Sequence, residues 1–158
     1  MAADSNRSAP WVVRRLTASW AERCADVSAR AIDATGPEDE RHGIVAARLR
    51  TPDVWKQFFA ERTVFGACDQ EGTLLGVATV HHAGDIAYLG AHSVVRRRCG
   101  IGTALTVARL DEARRWGCPH VVALIAPSNA ASAANLTAQG FACIDSGPDG
   151  SLRYTRAL

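Results

Sequence analysis

With 158 residues, 47% of them hydrophobic and 22% charged, the chain is long enough to bury a sizeable core and has the make-up of one globular domain. No apolar run approaches the roughly 20 residues that a bilayer-spanning helix needs, which excludes that kind of membrane protein. A net charge of only +2 speaks against a dedicated nucleic-acid binder, and five cysteines, an odd number with no C-x-x-C pair, suggest neither a zinc site nor a disulfide framework.

The opening "MAADSNRSAP" is small and polar and lacks the apolar core of a signal peptide. Residues 1–10 are expected to form a leader without fixed structure, residues 11–158 one domain, and the protein to be cytoplasmic. "WVVRRLTA" (Trp11 to Ala18) reads as a strand, and Ser19 to Ala34 as an amphipathic helix with Ser19 at its N-cap. "TGPEDERHG" breaks that helix. The region "IVAARLRTPDVWKQFFAE" is interrupted at Thr51-Pro52, because proline fits only the first turn of a helix, so two short helices are expected.

"TVFGACD" and "LLGVATVHH" then form a hairpin about "QEG", and "AGD" turns the chain into a further strand, "IAYLGAHSVV". From Ile101 to Trp116 apolar residues recur at helical spacing: Ile101, Ala104, Leu105 and Ala108 on one stripe, with Val107, Leu110 and Ala113 beside it. Gly117 ends that helix. "HVVALIA" is a continuous apolar strand with both faces buried. "PSNAASAANLTAQG" is a helix with Ser128 as N-cap and Gly140 at its end, and two strands close the chain around "GPDG". The order predicts a mixed sheet with helices on its faces.

Between the fourth strand and its following helix lies "RRRCGIG", Arg96 to Gly102. The first turn of a helix offers unpaired N–H groups and the positive end of the helix dipole. Two glycines let an anion approach that backbone closely, and the arginines add charge, a combination suited to a diphosphate. A Walker loop requires Gly-Lys-Ser/Thr, but the only lysine is Lys56. A dinucleotide fingerprint requires a small third residue where Leu105 stands, and a parallel βαβ unit where hairpins precede.

Arg97-Arg98-Cys99-Gly100-Ile101-Gly102 fits a third design fully: Gln/Arg-x-x-Gly-x-Gly/Ala after a fourth strand, the acetyl-CoA loop. With Asn129, the helix after it, and Gly140-Phe141, the chain resembles the GCN5-related N-acetyltransferases (GNAT) over nearly all of residues 11–158. The resemblance implies an α/β fold: a mixed, mostly antiparallel sheet of six to seven strands, flanked by about four helices, with the fourth and fifth strands splayed. It implies acetyl-CoA as cosubstrate, its pantetheine arm pairing with backbone at Ala91, His92, Ser93 and Val94 like an added strand. Arg97 and Arg98 would lie in the loop, the N–H groups of Arg98, Cys99, Gly100, Ile101, Gly102 and Thr103 would hold the pyrophosphate, and Asn129 would contact the arm, its alternative role being an N-terminal cap on the helix that follows. A backbone N–H near His92 would bind the acetyl carbonyl.

Acetyl transfer to an amine requires a neutral nucleophile and a proton for the leaving thiolate. Many members of the family carry a tyrosine four residues before the Gly-Phe glycine, and here that position is Leu136. Tyr88 and His92, on the fourth strand, are therefore the candidate catalytic residues, Tyr88 as proton donor and His92 as base. Alternation puts Ile86, Tyr88, Gly90 and His92 on one face until a bulge intervenes. His81 and His82 end the third strand and are expected to be exposed, Asp85 favours its turn, and Cys99 is a spacer in the loop. The acidic cluster Pro37 to Arg41 either attracts a cationic amine or complements a helix dipole. The expected activity is direct acetyl transfer, in a ternary complex, to an amine of a small molecule, amino acid or peptide. Neither nucleic acid nor membrane is an expected partner; the sequence does not fix the oligomeric state, although the resemblance implies that a homodimer is one possibility. The alternative is a non-catalytic acyl-CoA-binding sensor, which Leu136 keeps open.

Overall fold

The computed structural model describes residues 10–35, 47–95 and 99–158. The leader up to residue 9, the acidic cluster Pro37 to Arg41, and Arg96, Arg97 and Arg98 lie outside the described residues. The first strand, β1 (Trp11–Arg15), is shorter than expected, and a 3-10 turn (Ala18–Trp20) comes before α1 (Ala21–Thr35). Ser19 is not the cap: it lies within the turn, and its hydroxyl pairs with Thr17 at 2.9 Å. Helix α2 (Pro52–Glu61) begins where proline requires, with Thr51 extended before it.

β2 (Thr63–Asp69), β3 (Leu74–Ala83) and β4 (Ile86–Val94) form the central antiparallel part. α3 (Ile101–Arg115), β5 (His120–Ile125), α4 (Ala130–Ala138), β6 (Ala142–Ser146) and β7 (Leu152–Ala157) complete the order. Among the described residues the sheet has seven strands in the order β1-β2-β3-β4-β5-β7-β6. Within them the one parallel pair, β4 with β5, is joined by the crossover through α3.

Two apolar clusters sandwich the sheet. On one face Cys24, Val27 and Trp55 of α1 and α2 pack on Val64, Cys68 and Val77. On the other, Leu105 and Leu110 of α3 and Leu136 of α4 pack on Ala78, Leu89 and Val121. Burial pushes the Cys24 thiol up to about 12, so that side chain is an inert apolar filler.

Two expectations need correction. The cap of α4 is Asn129, not Ser128: its Oδ1 accepts from the Ser132 amide at 3.2 Å. The buried stripe of α3 is also less apolar than expected. Thr106, Arg109 and Glu112 are buried on it, while Val107 is 42% exposed. Polar groups hold those positions because each finds hydrogen-bonding partners: Thr106 and Arg109 within the interior, and Glu112 from the exposed Arg15 and Arg115 at its edge.

Candidate active site

The backbone of β4 is irregular where the site begins. Ala78 pairs with His92 and Val80 with Leu89, so the single residue Thr79 faces both Gly90 and Ala91. This bulge shifts the alternation by one residue. Tyr88 stacks on His81, ring centroids 5.1 Å apart, and Gly90 abuts Arg62; both lie on the α1/α2 side. His92 is turned to the α3 side, toward Arg109. The two candidate catalytic side chains therefore do not converge from one face.

On its other edge, β4 pairs with β5 only from Ile86↔His120 to Leu89↔Ala123. Beyond that point Leu124 and Ile125 pair with β7 instead, and Gly90 to Val94 have no β5 partner. The strands splay, and an open backbone edge starts at the bulge and includes Ala91, His92, Ser93 and Val94. Ser93 is buried.

At the far end of this edge α3 begins. Gly100 is left-handed, φ 83°, a conformation that glycine adopts without penalty, and among the described residues no side chain caps the helix. The amides of Ile101, Gly102 and Thr103 thus form its first turn, and Cys99 comes just before. Gly102 leaves room: a Cβ there would stand 3.4 Å from His92 Nε2 and 3.8 Å from Asn135 Nδ2.

Beneath this turn is a polar network absent from the sequence reading. Asn135 of α4 donates from Nδ2 to Thr103 Oγ1 at 3.3 Å. Thr106 Oγ1 lies 3.1 Å from both Asn135 Oδ1 and Gly102 O, with one hydrogen to share between them. Arg109, only 2% exposed, donates from Nη2 to His92 Nδ1 at 2.9 Å and to Thr106 Oγ1 at 3.2 Å. Its Nε and Nη1 donate at 3.3 Å to the carbonyls of Leu105 and Thr79. Burial pushes its pKa down to about 9, which leaves it charged near neutrality. Thr79 is thus held from both faces, because Arg62 Nη1 also donates to its Oγ1 at 3.4 Å. The detectable signal for Arg109 was a charged residue at the i+4 position from Leu105, in line with the buried leucine on the helix face.

His92 is exposed as a residue, while its ring is hemmed in by protein. That crowding first, and the Arg109 guanidinium second, hold its pKa well below the usual histidine range. Solvent on the open side moderates the crowding, but the 2.9 Å contact with a guanidinium that is charged near neutrality acts in the same direction. His81 is likewise lowered, first by burial and then by Arg62. His82 is exposed and stacks on Trp116, and Asp85 is exposed in its turn. Leu136 is buried in the core, so no proton donor stands at the position where many family members carry tyrosine. Cavities of about 350 Å³ (beside Arg15, Lys56 and Phe59) and about 520 Å³ (between β1 and α3) lie away from the splayed edge.

Comparison with known proteins agrees with this geometry. The family model described as "Acetyltransferase (GNAT) family" matches residues 31–141, so the chain belongs to that family, whose cosubstrate is acetyl-CoA. No curated protein sequence matched. Among solved structures, the chain is similar to the PaiA N-acetyltransferase of Thermoplasma acidophilum in complex with coenzyme A, at 13% identity and TM-score 0.81, covering 94% of this chain and 99% of that one. It is also similar to the ribosomal-protein-S18-alanine N-acetyltransferase of Escherichia coli, at 19% identity and TM-score 0.68, covering 94% of each chain. A third is the ribosomal-protein-S5-alanine acetyltransferase of Vibrio fischeri, at 19% identity and TM-score 0.73, covering 94% and 93%. At these identities the likeness is one of fold.

Proposed function

We propose that this protein transfers an acetyl group from acetyl-CoA to the amine of a small molecule, amino acid or peptide, directly, with both substrates bound together. The observation that carries the reading is the open β4 edge, which runs from the bulge at Gly90 toward the first turn of α3, capped by no side chain among the described residues. An extended arm bearing amides fits such an edge as an added strand, and a diphosphate fits such a helix start. Acetyl-CoA carries both groups in that order and supplies an activated thioester.

In this reading Ala91, His92, Ser93 and Val94 pair with the arm through their backbone. Cys99, Gly100, Ile101, Gly102 and Thr103 present amides to the diphosphate, aided by Arg97 and Arg98. Asn129 approaches the arm with its amide nitrogen, since its Oδ1 serves as helix cap. The bulge directs a backbone N–H toward the acyl oxygen, where a preorganised donor contributes about 3 kcal/mol. Tyr88, partly exposed on the α1/α2 side, is the proton donor that replaces the one missing at Leu136.

The test is release of free thiol from acetyl-CoA across a panel of amines, with cofactor binding measured alongside. Turnover with at least one amine is expected, and Tyr88→Phe should lower it about tenfold or more while leaving coenzyme A affinity intact. Unchanged turnover in that variant would return Tyr88 to a structural role. Cofactor binding with no turnover on any amine would favour an acyl-CoA sensor instead, and absence of binding would overturn both.

A further inference from the structure

Arg109 poses an electrostatic problem. It is a buried cation with no carboxylate partner among the described residues. The carboxylate nearest in sequence on the buried stripe, Glu112, is engaged by Arg15 and Arg115. A charge taken out of water without an opposite charge is costly, and guanidinium does not escape by losing its proton. Four hydrogen bonds to neutral acceptors occupy four of its five N–H groups but leave its charge unbalanced.

Its contact with His92 also determines where the imidazole proton sits. A guanidinium has donors and no lone pair, so His92 Nδ1 must accept. The remaining proton is on Nε2. That nitrogen lies over the first turn of α3, 3.4 Å from where a Cβ on Gly102 would stand. The geometry points to His92 as a neutral Nε2–H donor to a diphosphate oxygen of coenzyme A, held in that tautomer by Arg109, whose buried charge is balanced by the ligand. His92 is then a binding residue and not the general base, because its only lone pair is already occupied. Arg109 is a positioning residue that acts through it.

This inference rests on the coenzyme A reading above, so its first test needs no ligand. ¹⁵N-detected histidine spectra of the free protein at neutral pH should show His92 protonated at Nε2 and bare at Nδ1. Arg109→Met should mix the tautomers, and Arg109→Lys should restore the single form. A protonated Nδ1 in the wild type overturns the proposal.

Calorimetry on the full chain then tests the ligand contact. His92→Phe should weaken coenzyme A binding about 10- to 100-fold. His92→Gln, whose amide can both accept from Arg109 and donate to the ligand, should retain most of the affinity and reports on the site even if the phenylalanine variant folds poorly. With separate probes, the loss should appear for ADP and not for pantetheine. Normal coenzyme A binding by a folded His92→Phe overturns the inference, as does a loss confined to pantetheine. Failure of the wild type to bind coenzyme A would instead overturn the cofactor reading, while the tautomer result would stand.

Discussion

The two helical layers bury different things. On one face, Trp55 of α2 is fully buried, its indole N–H donating to Leu49 O at 2.8 Å and its ring meeting Phe58 edge-on at 5.3 Å. Cys24, Ala25 and Val27 of α1 pack beside it. This layer holds the fold together by removing apolar surface from water. On the other face, α3 spends three buried positions on Thr106, Arg109 and Glu112. Two of these serve the cleft, through His92 and Asn135, while Glu112 ties α3 to β1 through Arg15 at 2.7 Å. The contrast teaches that one helix layer is packed almost wholly by apolar groups and the other carries a hydrogen-bonded polar network inside its packing surface. An amphipathic pattern alone does not separate the two.

The contrast can be broken most forcefully at Trp55. Trp55→Ala should cost about 3–5 kcal/mol of stability, through lost burial and the cavity left behind. Urea unfolding would measure this, and coenzyme A affinity of the folded fraction should not change. A comparable loss of affinity would mean that the α1/α2 layer also shapes the cleft.

Gly102→Val gives the opposite outcome. A branched side chain would project toward His92 and Asn135, into the space that the proposed reading gives to the anion. Binding of coenzyme A should fall at least 100-fold by calorimetry, with the thermal midpoint shifted by only a few degrees. Normal binding would show that the first turn of α3 is not the anion site.

Glu112→Gln separates the two kinds of buried polar group on α3. It leaves Arg15 and Arg115 without their carboxylate, and stability should drop by about 2 kcal/mol in urea while coenzyme A affinity holds. An affinity loss matching that of His92→Phe would merge the two groups into one network.

The smallest effect is on acid stability. His92 has a folded pKa below its unfolded value, with Arg109 as the charged group that faces it. The unfolded chain therefore takes up the proton first, and stability rises with pH through that window. The contribution of the neutral ring is whole above about 6.5 and is lost as pH falls toward the folded value. Between pH 7.5 and 5, wild type should lose more stability than His92→Gln. Equal losses would mean that the ring is not held neutral.

Much of the fold was legible in the residues. Proline at 52 marked a helix start, "QEG" and "AGD" marked turns, and the glycines at 100 and 102 marked the strand-to-helix junction, because each of these choices acts over a few bonds. The cap at Asn129 was misplaced by one residue, since serine and asparagine caps are nearly equivalent in local energy. Arg109 and Asn135 were not foreseen as a pair of supports for one helix turn. They stand 26 positions apart, on α3 and α4, and their common contact is the Thr106 hydroxyl.

The chain by itself determined where most strands, turns and helices fall, and that two glycines stand where a strand passes into a helix. These depend on side-chain size, backbone freedom and spacing along the chain. Only the tertiary structure decided that β4 leaves β5 after Leu89, that the bulge at Gly90 and Ala91 sends His92 and Tyr88 to opposite faces, and that a buried guanidinium dictates the imidazole's proton. Those outcomes depend on which distant groups meet in space and on the loss of water between them, neither of which local spacing encodes.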